Sequence, residues 1–265
     1  MPLALFSKLL TAVYRETLLA AQSAPSTILG PDTTVFRAFD QSHFTVDTYR
    51  HILRRDQADN ALVVRDAHAD QNRWTGRSGD PTIRSWGGVY CSLQQQAVVN
   101  EVAHYVQSAR ATAASASGAP TPAPLPRTAT LNQKCVIKIR LLGAFLAVDL
   151  SPHNPGFQSF IEGIGRTASV RREMAATRRP WLSIRDAIND ATDCSAARGI
   201  GLALANHGFR ALVVQTARTS ERSLLERGDN LIFFGTQGER IANLSVEEAY
   251  LFPLVGKPVV YPVEY

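Results

Sequence analysis

Residues 87–109 read GGVYCSLQQQAVVNEVAHYVQSA, and the spacing of apolar positions changes partway along them. Gly87–Ser92 (GGVYCS) is a short apolar run of the kind that forms a strand. From Gln94 onward, Val98, Val102, Tyr105 and Val106 recur at three- and four-residue spacing among good helix formers. The reading is a strand running into a helix, with Tyr90 on the strand and Glu101 near the middle of the helix.

Upstream, TTVFRAF from Thr33 is strand-like, and a polar, charge-mixed stretch separates it from residue 87, so two strands are joined by a long irregular loop. At the start, MPLALFSKLLTAVYRETLLAA carries Leu5, Leu9 and Val13, with Phe6, Leu10, Tyr14 and Leu18, at helical spacing. This predicts an amphipathic helix ended by Ser23–Pro31, packed on the main body or docking to a partner or membrane surface. Downstream, Ser108–Arg127 (SARATAASASGAPTPAPLPR) has too little apolar surface to offset chain entropy and is expected to be a disordered, mobile insertion. Strands are expected at Cys135–Leu142 and Ala144–Asp149, divided at Gly143, followed by a basic, loop-rich Gly165–Arg179. A helix is expected at Cys194–Gly208, with Asp193 at its start and Gly208 as its stop, then strands at Phe209–Gln215 and Leu231–Gly235. Strands interspersed with helices give an α+β fold, a mixed central sheet with flanking helices. The expected organisation is an N-terminal helix within residues 1–30 and one domain over 31–265, interrupted by the insertion at 108–127.

The 265 residues are 45% hydrophobic and 19% charged, which excludes a wholly disordered chain, a collagen-like rod and a coiled coil. A net charge of +5 suits an anionic partner but is too dilute to indicate nucleic acid. Cys91, Cys135 and Cys194 form no C-x-x-C pair and point to a reducing compartment. The apolar run Leu141–Leu150 carries Asp149 and is far too short to span a bilayer. Lys8, Arg15 and Glu16 interrupt the first segment, so no secretory signal is read and a cytoplasmic location is expected. P-loop, H-E-x-x-H and G-x-S-x-G signatures are absent from the sequence. Gly199-Ile200-Gly201 lacks the third glycine of a dinucleotide loop and reads as close packing inside a helix. Glu101 and His104 share a helix face, but a di-iron site needs a second such pair, so no metal is expected.

The remaining constellation is ordered: Phe36-Arg37, then Asn72-Arg73-Trp74-Thr75-Gly76, then Gly88-Val89-Tyr90-Cys91-Ser92, then Glu101, eleven residues after Tyr90. Asp193-Cys194-Ser195 precedes an Ala-rich helix, Gly208-Phe209-Arg210-Ala211 precedes a strand, and Asp229-Asn230-Leu231 precedes Phe233. In this order the chain resembles the RES domain family, which includes toxins of toxin–antitoxin pairs. The resemblance spans about Thr33 to Gly235. Thr75 stands where Asn is usual, Ala38 where some members have Tyr, and Thr216 where many have Ser, departures that bear on substrate detail.

That resemblance implies a fold akin to the ADP-ribosyltransferases and a pocket for NAD, taken as substrate and cleaved between nicotinamide and ribose. The product depends on whether water or phosphate attacks, making the enzyme an NAD glycohydrolase or an NAD phosphorylase. Arg37 and Arg73 become diphosphate ligands, since guanidinium forks grip phosphate in bidentate fashion. Glu101 becomes the carboxylate that stabilises positive charge on ribose, Tyr90 the ring that orients nicotinamide, and Ser195 a donor to phosphate or ribose at a helix start. A cognate immunity protein or antitoxin is the implied partner, for a secreted interbacterial effector or a toxin–antitoxin toxin. The competing readings are mono-ADP-ribosylation of a protein and an NAD-binding or partner-docking module without turnover. Taken alone, each residue has a plainer role: Arg37 and Arg73 as ion-pairing strand residues, Tyr90 and Glu101 as core packing and its flank, Ser195 as a helix cap. Arg166, Arg171, Arg172, Arg178 and Arg179 read as a solvated basic loop, or as an electrostatic contact for an acidic immunity protein or for substrate.

Overall fold

The computed structural model describes residues 8–40, 53–54, 73–123, 134–190, 192–215, 229–251 and 259–264. Its strands are β1 (Ser26–Leu29), β2 (Thr34–Asp40), β3 (Leu53–Arg54), β4 (Gly88–Ser92), β5 (Lys134–Leu141), β6 (Phe145–Leu150), β7 (Ala211–Gln215), β8 (Asp229–Phe234), β9 (Leu244–Leu251) and β10 (Val259–Glu264). They join in the order β1-β6-β7-β8-β4-β2-β5-β9-β10-β3. β6 with β7 and β10 with β3 run parallel, and the other pairs are antiparallel. The helices are α1 (Lys8–Ala20), α2 (Gln95–Ala116), α3 (Pro155–Arg166), α4 (Ala168–Ala176), α5 (Ile184–Asn189), α6 (Ser195–His207) and α7 (Gln237–Asn243). This is the expected α+β architecture, a mixed sheet with flanking helices.

Alternation along the strands gives the sheet two faces. On one, Val35, Val89, Cys91, Ile137, Ile139, Val213, Phe233 and Val246 belong to a core built, among the described residues, from strand side chains alone. On β5 the opposite positions include Lys138 and Arg140, which reach Glu247 at 3.2 and 3.0 Å. On the other face Leu150, Leu212, Val214 and Ile232 meet the helices. There α3, capped by Asn154 with Pro155 in its first turn, buries Phe157, Phe160, Ile161 and Ile164, each burial contributing about 1.5–3 kcal/mol.

The centre of this helical layer is α6, nine of whose thirteen residues are buried. It ends at Gly208, whose φ of 108° is the left-handed conformation that a helix stop of this kind requires. Helix α1 buries Leu9, Leu10, Val13 and Thr17 and packs on α6. The two helices cross closely because a Cβ on Gly199 would lie 2.8 Å from the Leu10 carbonyl oxygen. Gly201 is tighter still, since its Cβ would lie 2.0 Å from the Trp74 carbonyl oxygen. The Gly199-Ile200-Gly201 stretch is a packing device that seats α1 and the Trp74 segment on one helix.

Two expectations need correction. The insertion expected to be mobile from Ser108 to Arg127 is helical as far as Ala116, because alanine, which pays no side-chain entropy in a helix, extends α2 by more than two turns beyond Ser108. Residues 124–127 of that insertion lie outside the described residues, as do Asn72 and Thr216. The basic stretch Gly165–Arg179 is not loop-rich: it holds the end of α3 and all of α4, with Val170 buried and the arginines turned outward. All three cysteines are free thiols. Among the described residues no helix is long and apolar enough to cross a membrane.

Gly201→Ala should therefore destabilise the fold by about 1–3 kcal/mol, because the atom it must displace is backbone rather than a flexible side chain. Gly163→Ala on the exposed side of α3, where a Cβ meets nothing within 4 Å, should be neutral or stabilising by up to about 1 kcal/mol. Thermal unfolding of both variants beside the parent checks the contrast.

Candidate active site

Three segments converge on the helix-facing side of β4. The first is Arg73-Trp74-Thr75-Gly76, in which Trp74 is 7% exposed and Thr75 fully buried. The N–H of Trp74 donates to the Tyr90 hydroxyl oxygen at 2.9 Å, and Arg73 Nη1 donates to the Ile188 carbonyl of α5 at 2.7 Å. Gly76, at φ 119°, turns the chain, and its N–H donates to the Trp86 carbonyl at 2.8 Å. The loop between is fastened to the helical layer: Trp86 Nε1 donates to Asn206 Oδ1 at 2.8 Å and the Thr11 hydroxyl to Asp80 Oδ2 at 3.3 Å. Gly88 opens room for the same segment, since a Cβ there would lie 2.8 Å from Thr75 Cγ2.

The second segment is β4 with its neighbours. Ser92 lies opposite Asn230 on β8, and Tyr90 opposite Ile232. Ser92, 2% exposed, donates to Asn230 Oδ1 at 2.6 Å, and Asn230 Nδ2 donates to Glu101 Oε1 at 2.6 Å. The half-buried Glu101 carboxylate, eleven residues beyond Tyr90 on a helix that begins at Gln95, is thereby tied to the strand that carries Tyr90.

The third segment is the start of α6. Asp193 Oδ1 accepts from the Ser195 N–H at 2.9 Å, satisfying one of the donors a helix start leaves open. The helix-cap residue itself, Cys194, makes no side-chain cap. Arg198 follows in the first turn of α6, where its N–H donates to the Cys194 carbonyl at 2.8 Å. Burial pushes the Tyr90 phenol up to about 12, against the smaller opposing effects of the Trp74 N–H, Thr75 and Arg198.

The structure thus ties the Arg73-Trp74 segment to Tyr90 and joins Glu101 to the Tyr90 strand through Ser92 and Asn230, with Ser195 at the head of α6. Arg37 is set apart. Phe36 is directly opposite Ser92, so alternation turns Arg37 to the other face of β2, where it is opposite Ile137 and 2% exposed. Among the described residues, pairing between β2 and β4 is confined to Phe36 and Ser92, so Arg37 lies at a seam one residue from the Glu101 network. Sequence reasoning assigned no role to Ser92, Asn230 or Arg198. The Tyr-x-Ser spacing and the Asp-Asn-Leu run marked the first two, whereas nothing local marked Arg198.

No protein-family model matches the sequence, and no curated protein matches it. Among solved structures the fold is similar to a chain in the crystal structure of the M. tuberculosis MbcT–MbcA toxin–antitoxin complex, over 90% of each chain, with 14% identity and a TM-score of 0.46.

Tyr90→Phe removes the acceptor of the Trp74 N–H and should cost about 1–3 kcal/mol. It should also change the alkaline limb of stability. Below pH 10 the phenol is protonated in both states and contributes no pH dependence. Between 10 and 12 the unfolded chain gives up that proton first, so stability falls as pH rises. Denaturant melts across that window should show a shallower decline in Tyr90→Phe than in the parent.

Proposed function

We propose that this chain is a toxin that depletes NAD by cleaving the bond between nicotinamide and ribose. The observation that carries the reading is the Ser92–Asn230–Glu101 chain of hydrogen bonds, which holds a carboxylate beside the face of β4 that carries Tyr90. A carboxylate fixed this way needs little reorganisation when charge develops near it, which is what a bond-breaking step with a ribose cation demands.

NAD brings a diphosphate, and the donors around Tyr90 suit it. A guanidinium carries five N–H donors, and the one described hydrogen bond of Arg73 uses a single one of them, on Ile188. Arg73 is therefore held by the protein while retaining a fork for phosphate. The Ser195 N–H is committed to Asp193, so Ser195 acts through its hydroxyl. Tyr90, a protonated phenol at neutral pH, offers its ring to nicotinamide, its hydroxyl oxygen already engaged by Trp74. Arg37, buried on the opposite face of β2, stands outside this grip. In the chemical step the glycosidic bond breaks, its electron pair leaves with nicotinamide, and Glu101 stabilises the cation left on the ribose until water or phosphate attacks. A toxin of this activity requires a protein that neutralises it, the immunity protein or antitoxin expected as its partner.

Purified chain should release nicotinamide from NAD, followed by chromatography with and without phosphate. Glu101→Gln should lower the rate about a hundredfold or more while NAD binding persists, because the lost interaction belongs to the transition state. Arg73→Ala should act mainly on KM. Persistence of NAD with folded protein under both conditions, or unchanged turnover in Glu101→Gln, would sink this reading. Transfer of label from NAD to a protein acceptor would mark ADP-ribosylation in its place.

A further inference from the structure

A groove of about 670 Å³ opens between α3, α4 and the turn that precedes α5. Its floor is apolar: Met174 and Trp181 are partly buried against the helical core. Its rim is cationic, formed by Arg166, Arg171 and Arg179. The one carboxylate in its lining, Glu162, is held by Arg166 at 2.5 Å. Arg171 is exposed and has no ion pair among the described residues. At the mouth, Leu182 is 96% exposed, the most exposed large apolar side chain in the described structure.

This combination selects among occupants. A nucleotide base would need the face of Trp181, but the Arg179 guanidinium lies over that ring at 5.6 Å, and the ring nitrogen donates to Asp190 Oδ2 at 2.9 Å. Arg179 is itself fixed, donating to Asp190 at 3.2 Å and to Thr192 at 2.7 Å. What remains accessible is the charge of Arg171 beside uncovered aliphatic surface. Acidic side chains complement the first, and an aliphatic side chain covers the second.

We propose that this groove docks an acidic polypeptide segment bearing an aliphatic side chain, with a carboxylate on Arg171 and the aliphatic group against Leu182 and Met174. The groove shares no residue with the Tyr90 site, so the inference stands independently of the NAD reading. The test is fluorescence anisotropy of a labelled twelve-residue peptide of alternating Asp and Leu, titrated with the full chain. Saturable binding is expected. It should weaken about tenfold or more in Arg171→Glu and in Leu182→Asp, and weaken as salt rises. A Lys/Leu peptide should not bind. Both positions are exposed, so the variants should melt with the parent, and Arg166→Glu replaces either one that does not. Failure of the Asp/Leu peptide to bind, equal binding of the Lys/Leu peptide, affinity unchanged in both variants, or displacement of the peptide by ADP or duplex RNA would each overturn the proposal.

Discussion

The Trp74 backbone is held from two sides, and the site is assembled around that clamp. Its N–H is taken by Tyr90 on the sheet, and its carbonyl oxygen rests where Gly201 of α6 has only a hydrogen. Because Tyr90 belongs to β4 and Gly201 to α6, one residue of an irregular loop sets how the sheet and the helical layer meet at this point. Arg73 gains its position from being next in sequence and is then secured on the Ile188 carbonyl. Loosening the clamp would move the cation, the phenol and the head of α6 relative to one another, which is why a methyl group at position 201 bears on more than packing.

A second constraint is the sheet register. Ser92 reaches Asn230 only because β4 and β8 pair as they do, and a one-residue slip would turn Ser92 to the strand-built core. The same rule separates Arg37 from Tyr90. The two arginines that the sequence suggests as one diphosphate grip therefore sit in different surroundings: Arg73 in a half-buried polar loop, Arg37 on the face of β2 that also carries Val35 and is opposite Ile137. Arg198, on the helix that Gly201 helps to seat, is the arginine whose charge bears on the Tyr90 hydroxyl.

Much of this was legible where a single local signal dominates. Alternation of Val136–Leu141 with Lys138 and Arg140 marks β5, the change of period at Ser92–Gln95 marks the strand-to-helix junction, and Gly208 marks the end of α6. Where two local signals conflict, the reading fails. Residues 108–116 look disordered by composition, yet alanine's propensity carries the helix through them. Residues 165–179 look like a loop by charge, yet the arginines lie on the outward side of α3 and α4. In the candidate site, Tyr90 and Glu101 stand out through the family resemblance that their eleven-residue interval helps to carry, but the Asn230 bridge depends on cross-strand register, which is not written locally.

The bridge that positions Glu101 joins residues far apart along the chain: Ser92 and Asn230 are separated by 138 positions, and Asn230 and Glu101 by 129. A pairing of such high contact order forms late, after the loop entropy between its ends has been overcome, and in a growing polypeptide it cannot form at all until β8 has been synthesised. The strand carrying Tyr90 and the helix carrying Glu101 are made early, yet they remain without their organising partner through more than a hundred further residues. The orientation of Glu101 is therefore a property of the finished fold: a chain still short of β8 already carries Tyr90 and Glu101 but lacks the bridge that fixes one against the strand of the other.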